Sequence, residues 1–196
     1  MEPFRIHLGL PLSRLAFQTQ RRSDSRACGK SIEPIVAVKE LDSYLNDHLA
    51  GSIGALDLIG HWAKLCRGKS LGAFFDSLEA EISADQDTLR DLMRCLGVEE
   101  SKVRQVTAWA AEKLGRARIV IAGDEPGSLG LVVALEGLIM GITGKQLLWR
   151  SLGAANLPKA EGFDFKELQR RAEEQIERTE AERIRAAQQA FASPVD

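Results

Sequence analysis

The fold of this chain is decided by one segment, residues Ser128 to Trp149, which reads SLGLVVALEGLIMGITGKQLLW. The segment is apolar on nearly every face of a helix, with one carboxylate, Glu136, near its middle and one ammonium group, Lys145, near its end. A helix that is apolar all round is either buried among other helices or crosses a membrane. Because Glu136 interrupts the run before about 18 uninterrupted apolar residues accumulate, the sequence favours a central, buried helix and no membrane span.

The composition fits a single cytoplasmic domain. Of the 196 residues, 44% are hydrophobic and 28% are charged, which is enough for a substantial core. The net charge of −2 creates no general attraction for nucleic acid or for an anionic membrane. The three cysteines, Cys28, Cys66 and Cys95, have no paired spacing, and no secretory signal precedes them. An odd number of cysteines without such a signal indicates a reducing cytoplasm.

The first 37 residues differ from the rest of the chain. They are basic, contain much Ser, Gln and Pro, and show no sustained hydrophobic period, so we expect residues 1–37 to form a disordered tail. A further hypothesis is that translation starts from a GTG codon at Val36 or Val38, just before the first helix. An intact mass of the natural protein that includes Glu2 would exclude that start.

Hydrophobic periodicity predicts helices along the remainder of the chain. Apolar residues recur at steps of three and four, and capping or stopping residues such as Ser70, Gly97 and Ser128 separate the segments. The predicted elements are helix A from Val38 to Cys66, helix B from Leu71 to Leu96, helix C from Ser101 to about Gly115, an extended connection over 116–127, helix D from Ser128 to Leu152, a linker over 153–163, and a C-terminal amphipathic helix from Asp164 to Ala192. Helices A to D, residues 38–152, are expected to form an all-α, antiparallel up-down-up-down four-helix bundle. The additional C-terminal helix is expected to lie along the bundle, with self-association as the alternative.

An acidic group lies on an otherwise apolar face of helix B. Asp85 follows the apolar line of that helix, and Glu81 lies one turn before it. If helices A and B pack antiparallel from the turn near Cys66, Ser52 falls opposite Asp85, and acids of the other helices fall near the same level. The predicted mid-bundle layer comprises His48, Glu81, Asp85, Glu112 and Glu136. Carboxylates that face inward from several helices are how bundles hold two iron or manganese ions.

Three features of the chain point to a known superfamily: the predicted bundle with inward-facing acids, the sequence YLNDHLAGS at 44–52, and the sequence LEGLIMGITGKQLLW at 135–149. Together they resemble the ferritin-like superfamily and are most similar to small bacterial members near the DUF892 type. The resemblance covers about Lys39 to Leu152 and implies the bundle architecture. Metal-binding members carry Glu-x-x-His on the second and fourth helices. The matching positions here read Glu81-Ile-Ser-Ala84 and Glu136-Gly-Leu-Ile139, without either histidine.

The polar residues of the predicted layer also have a structural interpretation. His48 is expected to be a hydrogen-bonded core residue with Asp85 as its partner, and a metal ligand is the alternative. Glu136, if buried, must be neutralised by a cation within about 4 Å. Its expected partners are Lys113, Lys145 and Arg150.

These observations leave two main classes of function. The first is a non-catalytic ferritin-like bundle, a structural or interaction protein without a cofactor, with a homodimer through its glycine-lined or C-terminal helices as one form. The second is a di-metal carboxylate protein, an iron store or an oxidase, with an atypical site of carboxylates and His48. A third hypothesis gives the basic tail a role at a membrane surface or on nucleic acid, which salt-dependent binding with and without residues 1–34 would test.

Overall fold

The structure, a computed structural model, describes residues 34–101, 125–155 and 157–192. These ranges contain four α-helices, α1 (Pro34–Leu65), α2 (Ser70–Leu96), α3 (Leu129–Ala155) and α4 (Phe165–Ala192), and a 3-10 turn at Pro158–Ala160. No strand occurs in the described ranges, which confirms the all-α prediction. The tail up to residue 33, predicted helix C and most of the connection over 116–127 lie outside the described residues.

The helix ends agree with the predicted ends to within a few residues. α1 begins at Pro34, four residues before its predicted start, so the last four residues of the predicted tail are helical. Proline is favoured at the first helical position because its missing N–H would have no partner there. The N-cap of α2 is Lys69 and not the predicted Ser70, since the extended backbone (φ −108°, ψ 162°) lies at Lys69. Gly97 ends α2 in the left-handed conformation, at φ 78°.

The helices pack as two antiparallel hairpins, α1 with α2 and α3 with α4, around two apolar layers. Layer one joins the C-terminal half of α1 to the N-terminal halves of α2 and α3 and to the C-terminal part of α4. Layer two joins the opposite ends of the four helices. Representative members are Trp62, Phe75, Leu135 and Ala186 in layer one, and Leu49, Leu92, Trp149 and Leu168 in layer two. It follows that α2 and α3 run parallel, and that α1 and α4 run opposite to both.

The described helices therefore point up, down, down and up in chain order. α2 ends beyond layer two and α3 begins beyond layer one, so the end of α2 and the start of α3 lie at opposite ends of the bundle. α4, predicted to lie along the bundle, does so, and it covers α3 and touches α2. It is one of the four helices that the structure describes. The simple alternation of helices A to D stays a prediction, because helix C lies outside the described residues.

α3 is less enclosed than its composition predicts. One stripe of the helix is buried and includes Leu131, Leu135, Leu138, Ile142 and Trp149. On the opposite side, however, Met140 is 71% exposed and Leu147 is 52% exposed. Phe191, next to the last residue of α4, is also exposed.

The length and composition of α3 are also those of a membrane-spanning helix. Its best 18-residue window has a mean hydropathy of 1.5, and 39% of that window is buried inside the bundle. The buried core helix of a soluble protein can have the same length and mean hydropathy. Within the part of the chain that the structure describes, this single helix is weak evidence for a span.

Gly72 lies where the turn after α1 folds against the first turn of α2. A Cβ atom at this position would lie 2.4 Å from the carbonyl oxygen of Cys66, which is closer than real Cβ atoms approach backbone. We expect Gly72→Ala to lower the free energy of unfolding by about 1–3 kcal/mol, because either the turn or the helix must move. Urea denaturation followed by circular dichroism measures the change.

Gly137→Ala on α3 is the matched control, because a Cβ atom there meets nothing within 4 Å. This substitution is expected to raise the free energy of unfolding by about 0.5–1 kcal/mol, since alanine is the better helix former. Equal effects of the two substitutions would contradict the close packing at Gly72.

Candidate functional site

Asp85 on α2 is the buried acid around which the site is built. It lies between the two apolar layers and is 2% exposed, as its place on the apolar line of helix B predicted. Lys145 of α3 donates from Nζ to Oδ2 at 2.5 Å. From α4, Arg171 places Nη2 2.6 Å from Oδ1 as an ion pair without hydrogen-bond geometry, and Gln175 donates from Nε2 to Oδ2 at 3.2 Å. One carboxylate therefore connects three helices.

Glu81, one turn before Asp85, extends this cluster toward the surface. Arg178 of α4 binds it with both guanidinium nitrogens, Nη1 to Oε1 at 2.9 Å and Nη2 to Oε2 at 2.5 Å. Gln175 links the two acids, since its Nε2 also donates to Glu81 Oε2 at 3.2 Å while its Oε1 accepts from Lys145 at 2.5 Å. These residues, Glu81, Asp85, Lys145, Arg171, Gln175 and Arg178, are called the ion-pair layer below.

The pKa values in the ion-pair layer reflect burial and pairing together. Burial lowers the pKa of the Lys145 ammonium, and the neighbouring Asp85 carboxylate opposes that shift. For Glu81, burial alone would raise the pKa, but the hydrogen bonds and charge of Arg178 outweigh burial, so the pKa lies below its ordinary value. Arg178 thus favours a charged Glu81, and Asp85 favours a charged Lys145.

At the level of Asp85, α1 contacts α2 through a hydrogen bond between uncharged side chains. Gln86, next to Asp85, donates from Nε2 to Ser52 Oγ at 2.8 Å, and Ser52 donates in turn to the carbonyl oxygen of Leu49 at 2.6 Å. Ser52 was predicted to lie opposite Asp85, and it bonds instead to Gln86, the residue after Asp85. The antiparallel register derived from the turn near Cys66 is therefore correct to one residue.

The predicted pairing of His48 with Asp85 is wrong. Among the described residues, the hydrogen bonds of the Asp85 carboxylate come from Lys145 and Gln175, its second ion pair is with Arg171, and none of these contacts involves His48. The His48 ring lies edge-on against Tyr44, with ring centroids 4.7 Å apart. Burial lowers the pKa of His48, an effect that the charge of Asp47 partly offsets.

Glu136 has the predicted cationic partner within reach, but neither the partner nor the burial is as predicted. Its side chain is 49% exposed, and Arg183 Nη1 lies 3.5 Å from Oε1. Arg183 reaches this half-exposed acid from α4, a helix that is not among the expected sources of its partners. Lys145 is engaged by Asp85 instead. Lys113, another predicted partner, lies outside the described residues.

The structure brings together only some of the five residues of the predicted layer. Glu81 and Asp85 share the ion-pair layer, and His48 lines a cavity beside Asp85. Glu136 lies on the outer side of α3, and Glu112 is outside the described residues. Among the residues in 34–101, 125–155 and 157–192, no three His, Cys, Asp or Glu side chains are grouped closely enough to hold a metal ion.

Sequence reasoning missed the three residues of α4 that complete the ion-pair layer. Arg171, Gln175 and Arg178 follow one another at steps of four and three, which places them on one face of the helix. Gln175 is 1% exposed and belongs to the buried face of α4, together with Ala172, Thr179 and Ala186. The sequence feature that could have indicated this contact is the group of polar residues that interrupts the apolar face of α4. Glu81 and Asp85, four residues apart on helix B, are acids with which such a group could pair.

A cavity of about 230 Å³ opens beside the ion-pair layer, between α1, α2 and α3. Its walls are mostly aliphatic side chains and glycines, and Asp85 and Lys145 border it. Trp149, 1% exposed, also lines this cavity. Its Nε1–H is buried and has no acceptor among the described residues.

Comparisons with protein-family models, with curated proteins and with solved structures find no match to this chain.

The ion-pair layer predicts a large penalty for removing one charge. Lys145→Met keeps a long side chain but leaves Asp85 without its closest cation, so we expect the free energy of unfolding to fall by about 3 kcal/mol. Asp85→Leu combined with Lys145→Met removes both charges. The free energy of unfolding of this double variant is expected to be closer to that of the wild type than the value for Lys145→Met alone. Urea denaturation of the three proteins measures these differences.

Arg170→Met is the control, because Arg170 forms exposed ion pairs with Glu167 and Glu174 on α4 and does not reach α2. Its loss is expected to leave stability almost unchanged. If Arg170→Met and Lys145→Met had the same effect, the Asp85 ion pair would not be a buried structural contact.

Proposed function

We propose that this protein is a non-catalytic helical bundle with a ferritin-like chain path, and that it serves as a structural or interaction protein. The observation that carries the proposal is the ion pair of Asp85 with Lys145 and Arg171 in mid-bundle. The acid that a metal protein would turn toward an ion is here neutralised by side chains of two other helices.

The chain path supports the ferritin-like assignment. Ferritin-like bundles consist of two antiparallel hairpins joined by one long crossover connection. The described helices have the same order of directions, and the end of α2 lies at the opposite end of the bundle from the start of α3. In this assignment α4 is the fourth helix of the bundle, in place of helix C of the sequence analysis.

The composition of the ion-pair layer supports a non-catalytic role. In di-iron and di-manganese bundles, two helices each contribute a Glu and the other two each contribute Glu-x-x-His. Here α1 contributes Ser52 and α3 contributes Lys145, while α4 contributes two guanidinium groups and an amide. A divalent ion placed beside Asp85 would lie near an ammonium and a guanidinium group, which repel it in a buried environment.

The outer face of α3 supports an interaction role. Met140 and Leu147, two turns apart, are largely exposed, and a Cβ atom added at Gly137 would meet nothing within 4 Å. An apolar helix face with small residues allows another helix to approach closely. A homodimer through this face is the simplest form of such an interaction.

Metal analysis of protein from cells supplied with iron and manganese tests the proposal. We expect far less than one equivalent of either metal per chain, and Asp85→Asn should leave the metal content unchanged. About two ions per chain, lost in Asp85→Asn but kept in the surface variant Glu167→Gln, would overturn the proposal in favour of a di-metal carboxylate protein. In sedimentation velocity on the same material, a dimer that Met140→Glu does not dissociate would exclude the α3 face as its interface.

A further inference from the structure

The side of α3 that faces away from the core has an apolar centre between two opposite charges. Glu136, Met140, Leu147 and Arg150 follow one another at intervals of four, seven and three residues, so they share one side of the helix. All four are exposed, Met140 at 71% and Leu147 at 52%. These four residues are called the outer face of α3 below.

The two charges of the outer face are the charges of α3 that the ion-pair layer does not use. The helix contains three charged residues, Glu136, Lys145 and Arg150, and Lys145 belongs to the ion-pair layer. Glu136 is loosely held, because Arg183 Nη1 lies 3.5 Å from its Oε1 while the same guanidinium group makes two hydrogen bonds of 2.6 Å to Glu180. Arg150 forms no ion pair with any residue in the described ranges. Both charges are therefore available to a partner.

The spacing of the four residues fits an antiparallel pair formed by two copies of α3. When Met140 of one copy is set level with Leu147 of the other, each Glu136 lies one residue, about 1.5 Å along the axis, from the level of Arg150 in the opposite copy. Twofold symmetry then produces this ion pair twice. A parallel pair would instead bring like charges together at both levels, which is unfavourable.

We propose that the outer face of α3 binds a second copy of this chain in antiparallel orientation, with Met140 against Leu147 at the centre and an ion pair between Glu136 and Arg150 at each end. This inference rests on the interaction role proposed above and names the partner. A twofold interface needs a self-complementary surface, because the same residues supply both sides of the contact. An anionic membrane is a poorer match, since the acid and the base of this face leave no net positive charge.

Reversing the charges one at a time tests this pairing. Glu136→Arg and Arg150→Glu each replace two attractive contacts per dimer by two repulsive ones, so each is expected to raise the dimer dissociation constant about fivefold to fiftyfold. The double variant exchanges the signs and is expected to dimerise like the wild type. Sedimentation equilibrium of the full chain at about 1–300 µM measures the constants, since an interface of one helix face is small and binds weakly.

Recovery in the double variant has to come from the second copy. Glu136 and Arg150 lie about 21 Å apart along α3, beyond the reach of an ion pair within one chain. The contact of Glu136 with Arg183 is lost in Glu136→Arg and in the double variant alike. Mixing the two single variants is also expected to give a heterodimer that is more stable than either homodimer, because opposite charges then meet at both ends.

Arg94→Glu is the matched control. It makes the same change of charge as Arg150→Glu, but on α2, where Arg94 is exposed and pairs with Asp91 of its own helix. We expect it to leave the dissociation constant within about twofold of the wild-type value. Circular dichroism of each variant confirms that the fold is retained.

Four results would overturn the proposal: a wild-type chain that stays monomeric over the whole range, equal dissociation constants for Arg150→Glu and Arg94→Glu, weakening in the single variants without recovery in the double variant, and a monomer that binds phosphatidylcholine vesicles through Met140. The last result would assign the outer face to a membrane surface. Metal analysis tests the proposed function separately. A monomer without metal would remove this interface and leave the non-catalytic role standing, whereas a dimer with two bound ions per chain would do the reverse.

Discussion

A carboxylate that leaves water must be neutralised, and Asp85 imposes this requirement at the centre of the bundle. Its two oxygens receive Lys145 from α3 and Arg171 from α4, and Gln175 joins the same group of contacts. The apolar layers on either side of Asp85 allow the helices to shift along one another, because hydrophobic contacts are not directional. The contacts around Asp85 hold α2, α3 and α4 at one level, and we expect the register of these three helices to depend on this one acid.

This arrangement has a thermodynamic cost and a structural consequence. A buried ion pair often stabilises a protein no more than apolar residues of the same volume, because both charges lose their hydration. Its value is in specificity, since any register that separates Asp85 from Lys145 leaves a buried charge unpaired. In this chain α2 and α3 run parallel and are not joined by a tight turn that would set their relative position. The ion pair between Asp85 and Lys145 is a contact that can set it.

Much of the fold follows from the sequence, whereas the contacts of the candidate site do not. Periodicity and turn residues predict the helices and place Asp85 on an apolar face, and counting from the turn near Cys66 places Ser52 at its level. Periodicity does not show which helix supplies the partners of Asp85. Arg171 and Gln175 look like solvent-facing residues of a highly charged helix until α4 is packed against α2.

Glu136 illustrates a second limit. α3 is apolar nearly all round, so its sequence contains no polar face from which the buried side can be deduced. The single acid was assigned to the interior because apolar residues surround it. In the structure it lies on the half-open side and meets Arg183 of α4. An apolar sequence thus predicts that a helix is central, but not which of its faces is covered.

The most direct test of the ion-pair layer is a crystal structure of the full chain with anomalous scattering data from crystals soaked in manganese. The account predicts Lys145 Nζ within hydrogen-bond distance of Asp85 Oδ2, with no anomalous peak at that level of the bundle. A manganese peak bound by Asp85 and Glu81, with Lys145 turned away, would contradict it.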